Sequence, residues 1–155
     1  MSWWNFGRRY KTHNRSISGE HVQRALEDAC FQSVKVLDRE FLLVQEKDSE
    51  EIVDVAWKGL GKRYHGNSAE FPDCDDEARI CAADVLRECI RRGYPAGLPF
   101  GIAKLKRPEG GHLMCVAFNL STTADGAIRF YEPQNRKWKR PSEMDARYEF
   151  EWALL

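Results

Sequence analysis

Apolar residues recur every three or four positions in three stretches of the chain, and alternate with polar ones in its last third. From Ser18, Val22, Ala25, Leu26 and Ala29 share one helical face, with Ser18 as N-cap. Lys47-Asp48-Ser49-Glu50-Glu51 opens a second helix, with Ser49 as cap, acids in the first turn, and Ile52, Val53, Ala56, Trp57 and Leu60 on one face. Gly59 and Gly61 end it. A third helix is predicted over residues 74–92. Ala78, Cys81, Ala82, Val85, Leu86, Cys89 and Ile90 form its stripe, Asp75, Asp76 and Glu77 suit its start, and Arg91, Arg92 and Gly93 suit its end.

Val34 to Leu37 and Phe41 to Val44 read as short extended segments, and residues 61–73 as an irregular loop leading to Cys74. After Pro99 the period changes. Phe100 to Lys106, His112 to Leu120 and Ala127 to Glu132 read as strands joined by turns at 107–111 and 121–126, and Arg147 to Leu154 as a last strand. Helices followed by an antiparallel sheet predict an α+β domain over residues 18–155. Residues 1–17 read as an N-terminal arm whose Trp3, Trp4 and Phe6 pack onto the body. The sequence carries no internal repeat, low-complexity tract or dividing linker.

At 155 residues with 43% hydrophobic content the chain fits one domain with a real core. Lys plus Arg and Asp plus Glu are both 24, so no net field favours nucleic acid or an anionic membrane. No run approaches the ~18 apolar residues of a membrane span. The first ten residues do not read as a secretory signal, and five cysteines are an odd number. Both features predict free thiols in a reducing compartment, the cytoplasm of a bacterium or of a host cell.

Candidate chemistry starts at Phe71-Pro72-Asp73-Cys74-Asp75-Asp76-Glu77-Ala78, where a loop becomes a helix with a cysteine at the turn. Unpaired N–H groups and the macrodipole favour a thiolate there. Downstream, His112 lies on one apolar run and Glu132 on another. A hairpin over residues 112–132 would set them side by side, so that His112 could act as base for Cys74 and Glu132 could orient the imidazole. Each residue alone has a blander reading. A lone strand histidine is more often structural, a strand-end glutamate is usually solvated, and Cys81, Cys89 and Cys115 read as core hydrophobes. His13, His21 and His65 are weaker bases, placed on an arm, a helix start and a loop.

Asp73, Asp75 and Asp76 crowd the sulfur and oppose its activation unless they point away or are neutralised by Arg63, Arg79 or a cation. Calcium suits such an all-oxygen set. The commoner role of these acids is to complement a helix start. The separations of Cys74, Cys81 and Cys89 lack the close pairs of a structural zinc site. A P-loop, a dinucleotide fingerprint and a G-x-S-x-G elbow are absent.

Four segments carry a family resemblance: Val36-Leu37-Asp38-Arg39-Glu40-Phe41, the block around Cys74, Gly111-His112-Leu113 leading to Asn119, and Tyr131-Glu132-Pro133-Gln134. Over residues 34–138 the chain resembles the papain-like cysteine peptidase domain at the C-terminus of the Marasmius oreades agglutinin and the small bacterial and phage proteins related to that lectin. The resemblance implies Cys74 as nucleophile, His112 as base and Glu132 as orienting acid, with calcium-dependent activity a property of the fungal relative. Glu77 departs from the family pattern, which has an aromatic residue there.

The expected function is thus a cysteine peptidase, an amide hydrolase passing through a thioacyl intermediate on a protein or peptide substrate. The backbone N–H of Cys74 and, by position, Asn67 would hold the oxyanion. Two alternatives accompany it: a catalytically inactive papain-like binding or inhibitory protein, and a transglutaminase-like acyl transferase using the same trio.

Overall fold

Residue Ala78 has no exposed surface, and its carbonyl accepts a hydrogen bond from the Cys115 thiol at 3.5 Å, joining the longest helix to the longest strand. This computed structural model describes residues 15–29, 31–60, 73–121 and 127–155. In chain order it runs β1 (Arg15–Ser18), α1 (Gly19–Ala29), β2 (Ser33–Lys35), β3 (Glu40–Leu43), α2 (Glu46–Ala56), α3 (Cys74–Arg91), β4 (Phe100–Arg107), β5 (Gly110–Phe118), β6 (Ile128–Glu132), β7 (Lys137–Lys139), a 3-10 turn (Pro141–Glu143) and β8 (Glu149–Leu154).

All three predicted helices form, and each end has a local cause. Ser18 Oγ accepts from the His21 N–H, as expected of its cap. The second helix starts earlier than expected: it begins at Glu46 with Gln45 as N-cap, and Ser49 is buried inside it. Asp73 caps α3 by accepting from the N–H groups of Asp75 and Asp76, while Asp76 accepts from the Asp73 N–H. That reciprocal box satisfies the first donors of the helix and fixes where Cys74 begins it.

The sheet departs from the expected antiparallel one. Six strands lie in the order β2-β8-β4-β5-β6-β7, and the edge strand β2 pairs parallel to β8, so the sheet is mixed and recruits a strand from the helical half. Nothing local in Ser33-Val34-Lys35 announces a partner more than a hundred residues away. β1 and β3 form a separate antiparallel pair, which places residues 15–17, expected in the arm, in a strand. β7 was also absent from the expected strands. The turn between β4 and β5 is tighter than predicted: only Pro108 and Glu109 separate the strands, and Gly110 follows at φ +132°, which favours glycine.

Successive residues of β5 feed two cores. Met114, Val116 and Phe118 pack with Val22 and Leu26 of α1, whereas Cys115 and Ala117 pack with Ile52 and Val53 of α2 and Ala78, Cys81, Val85 and Cys89 of α3. Alternation along a strand buried on both faces makes the sheet the common wall of the two clusters. Trp3, Trp4 and Phe6, most of the loop at 61–73, and the turn from residue 122 to 126 lie outside the described residues.

Candidate functional site

β5 carries His112 near its start and β6 ends on Glu132. The ladder between these strands runs from Phe118 opposite Ile128 to Cys115 opposite Tyr131, so His112 and Glu132 both lie just beyond its end. His112 Nε2 meets Glu132 Oε2 at 2.5 Å, with 8% and 13% of the two side chains exposed. The expected pairing of imidazole and carboxylate is therefore present as a direct side-chain contact. It leaves Nδ1 as the ring nitrogen not engaged with Glu132.

Cys74 takes the first position of α3, half-buried, as expected. Among the described residues its thiol makes no hydrogen bond to His112 or Glu132, so the structure joins two of the three predicted groups by contact and not the third. The helix head is nevertheless held close to them. The Cys115–Ala78 bond ties its first turn to the strand bearing His112, and the carboxyl of Glu77 is pushed up by burial and then by the charges of Glu132 and Asp73.

Two features escaped the sequence reasoning. Glu77 was read as a helix-start acid, yet its Oε2 is buried without a hydrogen-bond partner among the described residues, as is Glu132 Oε1. Trp57 was read as a core residue only, yet its Nε1 donates to the Pro133 carbonyl at 3.0 Å and pins the chain just after Glu132. The Glu-Pro-Gln run was the only available hint that this segment needs holding.

The three aspartates have local work. Asp73 and Asp76 are in the capping box, and Asp75 pairs with Arg79 at 3.1 Å, the neutralising partner foreseen for it. The hydrogen bond between them holds the Asp73 carboxyl below its usual range and pushes that of Asp75 up. One oxygen of each lies within 4.8 Å of the others, an all-oxygen set of the kind calcium takes. Asn67, His13, His65 and Arg63 lie outside the described residues. His21 sits in the first turn of α1, beside Ser18, away from this cluster.

Two solved structures share the architecture. A complex of PSL1a with E64 aligns at TM-score 0.70 and 22% identity, over 90% of this chain and 51% of that one. Polyporus squamosus lectin bound to the human-type influenza-binding epitope Neu5Aca2-6Galb1-4GlcNAc aligns at TM-score 0.67 and 22% identity, over 90% of this chain and 49% of that one. The fold is shared with these structures of a fungal lectin. The chain spans about half the length of these structures. No protein-family model matches the sequence, and no curated protein matches it.

These likenesses correct the expected function. The hydrolase, cysteine-peptidase and thiol-protease reading and its protein or peptide substrate are not supported by these likenesses, which are to structures of a lectin. Among the described residues no helix is long and apolar enough to cross a membrane.

Proposed function

We propose that the chain is a papain-like binding domain, and that it binds a carbohydrate at the head of α3 beside the His112–Glu132 pair, with Cys74 lining the same site. The observation that carries this reading is the pair of buried carboxylate oxygens without partners among the described residues, Glu77 Oε2 and Glu132 Oε1, in a fold shared with a lectin. A buried acceptor left unpaired costs about 1–3 kcal/mol, and sugar hydroxyls are donors that would remove the cost. His112 holds Glu132 in place from the other oxygen, so the free oxygen keeps a fixed direction. Asp73, Asp75 and Asp76 form a secondary calcium proposal, tested by a calcium-dependent rise in melting temperature. Free thiols at Cys74, Cys81, Cys89 and Cys115 support a reducing compartment such as the cytoplasm.

The test is a titration of the protein with Neu5Aca2-6Galb1-4GlcNAc, followed by a glycan array. Saturable binding to at least one glycan, weakened about tenfold or more by Glu132→Gln, supports the site. Absence of binding across the array overturns the carbohydrate reading.

A further inference from the structure

Four of the five residues from Arg136 to Arg140 are basic, in a chain with no net charge. They lie on the turn and return strand of the β6–β7 hairpin, whose shape is fixed. The Lys137 N–H donates to Asn135 Oδ1 at 3.1 Å, Arg136 takes φ +58°, and β7 pairs with β6 from Glu132 opposite Lys137 to Phe130 opposite Lys139. Alternation along the strand then sorts the side chains. Trp138 turns to one face, where its ring lies 4.9 Å from that of Tyr131 and 4.4 Å from the Arg129 guanidinium carbon. Arg140 is drawn to Glu46 at 3.0 Å. Lys137 and Lys139 are left on the opposite face, about 7 Å apart along the strand and exposed, with exposed Arg136 beside them. Among the described residues none of these three takes part in an ion pair. The carboxylate facing Lys137 in register, that of Glu132, is turned to His112.

We propose that Arg136, Lys137 and Lys139 form a docking strip for a sulfated polysaccharide. Three cations held in place without counter-charges complement a polymer that carries anions at intervals, and each lysine meets a sulfate as a point charge with three donors. The surroundings select among polyanions. The one aromatic ring of the run faces inward, so the strip offers no platform for the base stacking that holds single-stranded nucleic acid. Among the described residues no large apolar side chain of the hairpin is exposed, so nothing there would enter a lipid surface. The neighbouring Gln134 and Asn135 are exposed and polar, which suits a hydroxyl-rich chain. This inference rests on the charge of the hairpin and not on the sugar reading of the α3 site.

The experiment titrates the intact protein with a heparin oligosaccharide by calorimetry and repeats the titration as salt is raised. The expected result is saturable binding that weakens steeply with salt, and that falls about tenfold or more when Lys137→Gln and Lys139→Gln are combined. Arg136→Gly, which the positive φ accepts, should weaken it as well. Chemically desulfated heparin should not bind. Glu132→Gln should not weaken heparin binding, which separates this strip from the α3 site. Absence of heparin binding, an unchanged affinity in the double-lysine variant, or equal binding of desulfated heparin would overturn the proposal. Tighter binding of a single-stranded oligonucleotide, of polyglutamate or of phosphatidylserine vesicles would overturn it too.

Discussion

His112 and Glu132, just past the end of the β5–β6 ladder, meet with Nε2 and Oε2 2.5 Å apart. Both side chains are nearly enclosed, so each is the other's main polar partner. Glu132→Ala leaves a buried imidazole nitrogen unpaired and should destabilise the protein by about 1–3 kcal/mol in urea unfolding. Glu132→Gln, which keeps an acceptor, should recover much of that loss. Equal losses in the two variants would show that the contact contributes nothing.

Cys74 is not hydrogen-bonded to His112 among the described residues, and a binding site asks no nucleophile of it. Iodoacetamide should label Cys74 at neutral pH about as fast as a free thiol, and His112→Ala should leave the rate unchanged. Fast labelling that disappears in His112→Ala would sink the binding reading.

Asp73 supplies the N-cap on which the position of Cys74 depends. Asp73→Ala should lower the melting temperature by roughly 2–4 °C, with Asp73→Ser restoring most of it. An unchanged melting curve would mean that packing against β5 sets the start of α3 without the cap.

Glu88 is 7% exposed and bonded to Arg91 and Arg92 at 2.6–2.7 Å, which holds its carboxyl down at about 2. The folded value lies below the ordinary 4.5, so the pairing stabilises the protein above that pH, and the gain is lost as pH falls from 4.5 towards 2. Between pH 7 and pH 3, Glu88→Gln should lose less stability than the natural protein, by roughly 2 kcal/mol, in chemical denaturation. Parallel pH profiles would refute the assignment.

Gly101 lies where β4 passes the end of β8, and a Cβ there would stand 2.1 Å from the Leu154 carbonyl oxygen. Backbone cannot yield as a flexible side chain does, so Gly101→Ala should cost about 2 kcal/mol or more, read as a lower urea midpoint. A neutral substitution would show that the C-terminal strand is free to move away.

The local pattern of this chain was enough for the helices and the hairpin-forming strands. Those depend on periodicity, capping and pleat, which act over a few residues. It did not show that Ser33–Lys35 would join β8 in parallel, that Glu77 would lie near Glu132, or that Trp57 would hold Pro133, because each partner is remote along the chain. The residue types of a thiol, an imidazole and a carboxylate can be read in order from the sequence, but only packing decides which of them touch, and here the imidazole meets the carboxylate.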